Sequence, residues 1–122
     1  MEINERFRGY LPVVVDLETG GFDKYKNPIL EIACTFLAMI DDELQVKSHA
    51  QWSLEPFEDS IIDPASLKVT GIDLDDPNRM AINERDVLQE FFKLVRDEMK
   101  LVGCHRAIMV AHNASFDQGF LN

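Results

Sequence analysis

A run of three valines that ends in two closely spaced carboxylates constrains this chain more than any other stretch. Val13, Val14 and Val15 are β-branched and predict a buried strand. Asp16 and Glu18 follow, and because residues two apart on a strand point to one face, both carboxylates leave the same side. Burying two like charges together is costly unless a cation or a proton neutralises them. The stretch therefore predicts a site for Mg²⁺ or Mn²⁺ at the end of a strand.

The same tripeptide has an ordinary interpretation. Most Asp-x-Glu sequences are solvated surface carboxylates, so the motif alone is weak evidence for a metal site. Thr19, Gly20 and Gly21 come next, and the glycines allow a sharp turn and the close approach of a backbone or a ligand. The apolar strand before the carboxylates and the glycine pair after them favour the metal-site interpretation.

Length and composition are those of one globular domain. The chain has 122 residues, and 46% of them are hydrophobic, which is enough for a core. The first residues do not have the apolar segment of a secretory signal, and no apolar run would span a bilayer, so we expect no membrane partner. Cys34 and Cys104 show no metal-ligand spacing, and free thiols are typical of a reducing cytosol. We therefore expect a cytoplasmic protein.

The charge balance limits how this chain can meet nucleic acid. Its net charge is −10, from 22 acidic and 12 basic side chains, which argues against binding by overall charge. An enzyme that uses metal ions and a local basic patch stays possible. Arg6, Phe7 and Arg8 could form such a patch, and a loose terminal segment with solvated charges is the alternative.

The hydrophobic pattern predicts an α/β protein. Residues 29–40 are almost continuously apolar and predict a central strand covered on both faces. Residues 44–54 alternate and predict a half-exposed strand that pairs antiparallel with it across a short turn. Residues 107–111 predict a short buried strand. Phe22, on the loop after the first strand, either packs into the core or offers a stacking surface to a base.

Capping residues predict two helices in the second half of the chain. Asp63 and Pro64 suit the start of a short helix, and Gly71 suits its end. Asn83 can cap a longer helix over residues 84–102, which Gly103 would end. One apolar face of that helix is predicted from residues at helical spacing: Leu88, Phe91, Phe92, Val95, Met99 and Val102.

A second carboxylate motif lies near the end of the sequence. Asn113 suits the N-cap of a helix that starts at Ala114, which puts Asp117 in the first turn, where the dipole favours a carboxylate. A charge at a helix start is common, so this role alone could explain Asp117. With Asp16 and Glu18, it suggests a two-metal phosphodiester site, in which ions about 3.5–4 Å apart activate a water and stabilise the leaving oxygen.

These motifs resemble those of the DEDD 3′→5′ exonucleases, the superfamily of the proofreading exonucleases. Residues 13–21, VVVDLETGG, look like its first motif, and residues 111–117, AHNASFD, look like its second. The similarity to one RNA-trimming branch extends over essentially all 122 residues. The resemblance implies an RNase H-like fold with a mixed sheet flanked by helices, of which residues 1–122 would form the N-terminal part of a single domain.

The resemblance also implies an activity and a set of site residues. It implies a homodimer that trims 3′ ends of tRNA and other structured RNAs, and of single-stranded DNA, with Mg²⁺. Asp16, Glu18 and Asp117 would be catalytic metal ligands. Phe22 and Phe116 match positions where the family stacks aromatic rings on terminal bases. Four basic residues match a patch that grips the substrate of the opposite subunit: Arg6, Arg8, Lys100 and Arg106.

The sequence departs from the family pattern at three places. The third motif, with a general-base histidine and a fourth acidic ligand, is absent, and His49, His105 and His112 do not take its place. Another stacking aromatic of the family falls at Val69, and an acidic residue beside it falls at Ala65. Without a base and a complete metal shell, we expect the chain as given to hydrolyse RNA weakly or not at all.

Two alternative functions stay open. A non-catalytic fragment could dimerise or bind RNA through the four basic residues. Another DEDD enzyme, such as an oligoribonuclease or a polymerase proofreading subunit, would share the carboxylates. The basic Arg-Phe-Arg segment near the N-terminus favours the RNA-trimming branch over these other DEDD enzymes.

Overall fold

The computed structural model describes residues 1–112 and 114–121, and for residues 114–116 it describes the backbone alone. The elements follow in the order α1 (Ile3–Arg6), β1 (Tyr10–Thr19), β2 (Ile29–Ile40), β3 (Glu43–Ser53), α2 (Pro64–Thr70), α3 (Glu84–Val102), β4 (Arg106–Val110) and α4 (Ala114–Leu121). A 3₁₀ turn at Pro77–Arg79 precedes α3.

The strands form one mixed sheet in the order β3-β2-β1-β4. β1 and β2 pair antiparallel, as do β2 and β3, whereas β4 runs parallel to β1. The parallel pair needs the long connection through α2 and α3, because a parallel crossover cannot be made by a tight turn. This arrangement confirms the predicted mixed sheet and the predicted β2–β3 hairpin.

The side chains of β1 alternate between the core face and the polar face of the sheet. Val13 and Val15 are buried, Val14 is half-buried, and Asp16 and Glu18 share the face of Val14. Only alternate valines are therefore part of the core. The buried side chains of β1 and β2 form one cluster with those of α3, which lies on that side of the sheet: Val87, Phe91 and Val95.

α2 and α3 begin and end at the predicted residues. Asp63 accepts a hydrogen bond from the Ala65 backbone N–H at 3.0 Å, and Asn83 accepts one from the Asp86 N–H at 2.9 Å. Gly71 and Gly103 close the two helices in the left-handed conformation. The sharp helix boundaries thus follow from local sequence.

The predicted apolar face of α3 needs two corrections. Phe92 is exposed, because it lies at the margin of the face that packs on the sheet. Glu98 is buried instead, and its carboxylate forms an ion pair with the Lys47 ammonium of β3. A cation from another element makes the buried charge tolerable.

Three other expectations are corrected by the tertiary arrangement. β4 is an exposed edge strand in the described part of the chain, with Ile108 49% and Val110 45% exposed, so the prediction of a buried strand is wrong. β2 is buried on one face and only partly covered on the other. The segment around Arg6 is helical, with Ile3 buried against the core. No helix within residues 1–112 and 114–121 is long and apolar enough to cross a membrane.

Candidate active site

The three predicted carboxylates lie where β1 ends and α4 begins. Asp16 is exposed, Glu18 is half-buried, and Asp117, in the first turn of α4, is only 6% exposed. Because β4 runs parallel to β1, the chain leaves β4 at the same end of the sheet as Asp16 and Glu18. The parallel pairing therefore brings the second motif to the first. The predicted cap Asn113 lies outside the described residues.

The carboxylates are close enough to affect one another. Burial raises the pKa of Glu18, and the nearby charges of Asp16, Glu31 and Asp117 raise it further. Burial also raises the pKa of Asp117, and the charge of Asp16 adds to the effect. Desolvation and like charge both disfavour the ionised form, so the site gains most from a positive partner.

Asp117 has no such partner within the described chain. Its side chain is buried, yet no hydrogen bond or ion pair to it is found among the described residues, which leaves a carboxylate that a cation would satisfy. Across residues 1–112 and 114–121, no three His, Cys, Asp or Glu side chains are gathered closely enough to enclose a metal ion. The carboxylates nevertheless have the chemistry that suits a hard divalent cation.

The turn after β1 is tightly built. A Cβ on Gly21 would lie 2.4 Å from the Asn27 side-chain oxygen, so only glycine fits there. The Thr19 hydroxyl donates to the Gly21 carbonyl at 2.7 Å, and the Gly20 N–H donates to the Pro28 carbonyl at 2.8 Å. The glycine pair predicted to permit close approach therefore does so, and the turn holds the end of β1 in place.

A cavity of about 230 Å³ opens beside Glu18, between the turn after β1 and α2. Phe22 lines it and is 85% exposed, so the alternative that Phe22 packs into the core is wrong. Ala65 and Val69, the two positions that depart from the family pattern, line the same cavity. The side chain of Phe116 is outside the described residues.

The four predicted basic residues lie at the other end of the sheet. Arg6 and Arg8 precede β1, Arg106 opens β4 opposite Tyr10, and Lys100 is in the last turn of α3. The Gly9 carbonyl accepts from the backbone N–H groups of residues 105 and 106, which joins the two segments. All four side chains are exposed, and none forms a salt bridge with a described residue.

Two of the histidines lie apart from the carboxylates. His105 packs on Tyr10 at the basic end, with ring centroids 5.8 Å apart. His49 lies on β3, where its Nδ1 is 3.1 Å from the Thr35 hydroxyl. His112 is exposed and follows β4. The expectation that His49 and His105 do not act as the general base agrees with these positions.

Sequence reasoning missed two residues that shape this end of the sheet. Glu31 on β2 lies directly opposite Glu18 and adds negative charge to the site. Arg79 donates from one guanidinium nitrogen to the carbonyls of Leu30 and Leu54, at 2.8 and 2.7 Å. A single charge inside an apolar strand was a sequence signal for Glu31, whereas the proline-containing segment of Arg79 gave no signal for its role.

Comparison with known proteins agrees with the motifs. The exonuclease family model matches residues 13–122 of this chain. A ribonuclease T from Shewanella sp. (strain W3-18-1) is 45% identical over 123 residues, which cover 99% of this chain and 55% of that protein. The chain thus spans about half the length of this curated relative. Ribonuclease T is the RNA-trimming branch whose motifs were matched in the sequence, so that resemblance is confirmed.

Solved structures show the same fold at low sequence identity. E. coli exonuclease I in complex with a dT13 oligonucleotide has a TM-score of 0.68 and 15% identity, over 92% of this chain and 22% of that one. The same enzyme with a 5cy-dA13 oligonucleotide has a TM-score of 0.70 and 18% identity, over 92% and 23%. This likeness confirms the predicted fold class.

Proposed function

We propose, from the premise that this chain belongs to the exonuclease family, that it acts in the metal-dependent 3′→5′ trimming of RNA. The 45% identity to a ribonuclease T favours RNA 3′ ends, those of tRNA and other structured RNAs among them, as substrates. Single-stranded DNA is a further proposed substrate, since solved complexes of the structurally similar exonuclease I contain such oligonucleotides. The buried free thiols Cys34 and Cys104 support the proposal that it works in the reducing cytoplasm.

The observation that carries the proposal is the buried residue Asp117, whose side chain lies beside the two carboxylates of β1 and has no hydrogen bond or ion pair among the described residues. Asp16, Glu18 and Asp117 would hold two divalent ions, Mg²⁺ or Mn²⁺. Such ions supply an activated water and stabilise the charge on the leaving oxygen. The three carboxylates come from β1 and α4, so their positions depend on the packing of α4 rather than on local sequence.

Phe22 is the proposed contact to the end of the substrate. Its ring is exposed beside Glu18 and faces a cavity large enough for part of a nucleotide. Stacking on an aromatic ring accepts any base, which suits an enzyme that removes successive nucleotides. Phe116 is proposed for the same role from its position in the second motif. Val69 and Ala65 in the same cavity would shape the terminal-nucleotide preference.

The basic end supports a proposed homodimer. Tyr10, beside the basic residues, and Asp16 are six positions apart on β1, which is about 20 Å along the strand. A 3′ end bound at the carboxylates therefore lies far from the basic patch of the same subunit. We propose that Arg6, Arg8, Lys100 and Arg106 bind the substrate of a second copy.

The test is a Mg²⁺-dependent trimming assay on this chain and on its Asp16→Asn variant. The substrate panel holds tRNA with extra 3′ nucleotides, short oligoribonucleotides and mismatched primer ends, which separates the proposal from other DEDD enzymes. Because the third motif does not occur in these 122 residues, we expect weak trimming by the wild type that Asp16→Asn abolishes, since a metal ligand is lost. Asp41→Asn, in the exposed β2–β3 turn, is the control and should be unaffected. Wild-type trimming that Asp16→Asn leaves unchanged would refute the proposal.

A second candidate function has its own support. The third motif does not occur in these 122 residues, and the basic side chains are exposed. A chain that binds RNA without cutting it would use those side chains. Salt-sensitive RNA binding without Mg²⁺-dependent cleavage would favour this candidate, and no binding at low salt would rule it out.

A further inference from the structure

We propose that Glu31 is a fourth carboxylate of the cation site, which strengthens the binding of a divalent ion by its charge. The inference rests on the proposed function, because it concerns the same site. It adds a residue from a strand that contributes nothing to either sequence motif.

The β1–β2 ladder puts Glu31 at the site. Glu18 and Glu31 are direct partners in antiparallel pairing, so their side chains project to the same face of the sheet. Asp16 is on that face too, and its own partner on β2 is Ala33. The neighbouring strand therefore adds one carboxylate to the site, next to Glu18 and not next to Asp16.

The backbone at Glu31 is held in this position. The register shifts after Glu18, so that Thr19 pairs with Ile29 and Leu30 is an extra residue in β2. The carbonyl of Leu30 accepts hydrogen bonds from the Arg79 guanidinium and from the Leu54 N–H. Because these two hydrogen bonds hold the Leu30 carbonyl, the adjoining Glu31 cannot readily rotate away from Glu18.

Like charges directly opposite one another destabilise a sheet. No salt bridge to Glu18 or Glu31 is found among the described residues. Independently, the Asp117 side chain, in a residue only 6% exposed, lies near Asp16 and Glu18 and has no hydrogen bond or ion pair among the described residues. An excess of negative charge that the described fold does not neutralise is explained if a divalent cation neutralises it.

The test is the binding of Mn²⁺ to this chain, measured by isothermal titration calorimetry and by the rise in Tm that the ion causes. We expect Glu31→Gln to weaken Mn²⁺ binding about tenfold, as removal of one charge near a divalent ion should. It should also raise the Tm of the metal-free protein, because a like-charge pair is removed. Glu43→Gln, an exposed glutamate at the far end of the same sheet, is the matched control and should change neither value.

A purely structural role gives the opposite result. If Glu31 only supports the strand, Glu31→Gln lowers the metal-free Tm and leaves the Mn²⁺ affinity unchanged, which would overturn the inference. Glu31→Asp keeps the charge and should keep most of the affinity, and a loss equal to that of Glu31→Gln would also overturn it. If wild type and Asp16→Asn bind Mn²⁺ equally weakly, both this inference and the proposed function fail. Wild-type binding that Asp16→Asn abolishes and Glu31→Gln leaves intact refutes this inference alone.

Discussion

At the C-terminal end of β1, Asp16, Glu18 and Asp117 gather negative charge around a partly buried site, whereas at its N-terminal end Arg6 and Arg106 present positive charge to solvent. The acidic end is built by convergence of separate elements and by burial. The basic end is built by short backbone links between Gly9, just before β1, and the start of β4, and its side chains stay exposed. The acidic end is therefore sensitive to packing, and the basic end to ionic strength.

The comparison explains how a chain with a net charge of −10 can belong to a nuclease family. Negative charge is useful where metal ions bind and harmful where phosphates bind. Under the proposed function, separation of the two along β1 lets one small sheet do both.

Arg79 tests whether the acidic end depends on packing. Arg79→Met removes two hydrogen bonds from a charged donor, and we expect the free energy of unfolding to fall by about 2–3 kcal/mol in urea titrations. Arg85→Met, on the exposed side of α3, is the control and should have little effect. Equal stability of the two variants would mean that the bulge at Leu30 needs no such anchor.

Phe22 tests whether the cavity beside Glu18 receives a base. Phe22→Ala should weaken the binding of a single-stranded oligoribonucleotide by about 1–3 kcal/mol, because one stacking contact is lost. Tyr25→Ala is the matched control, since this ring is 81% exposed on the same loop and does not line that cavity. Fluorescence anisotropy would measure both affinities. A larger loss of affinity for Tyr25→Ala would indicate that the base binds at another surface.

Arg106 tests the basic end. Arg106→Gln should weaken RNA binding about equally for all sequences and reduce the slope of log K against log salt by about one. Arg96→Gln, on the exposed part of α3, is the control and should leave the slope unchanged. A slope that does not change for Arg106→Gln would place the phosphate contacts elsewhere.

The raised pKa values of Glu18 and Asp117 predict how the stability of the metal-free protein depends on pH. A carboxyl whose pKa is higher in the folded state binds more protons there, so stability is greatest at low pH and falls as pH rises through the shifted range. Compared with wild type, Asp117→Asn should therefore flatten the fall of metal-free Tm between acid and neutral pH. An unchanged pH profile would show that the pKa of Asp117 is not raised in the folded protein.

The local parts of the fold were predictable from sequence, and the contacts between distant elements were not. Asp63 and Asn83 cap their helices as predicted because a cap depends on a few neighbouring residues. Phe92 was assigned to the wrong surroundings, and the burial of Glu98 was not predicted, because the width of a helix's buried face depends on what packs against it. The burial of β4 was wrong for the same reason, since no pattern in five apolar residues shows whether a strand is central or at an edge.

The site follows the same division. Local sequence is sufficient to show that Asp16 and Glu18 share a face, because a strand alternates, and that Gly21 allows a tight turn, because it has no side chain. The burial of Asp117 beside them and the pairing of Glu31 with Glu18 required the folded structure, because they depend on a parallel crossover and on strand register. Register and crossover are set by long-range packing, in which each residue's neighbours come from distant parts of the chain.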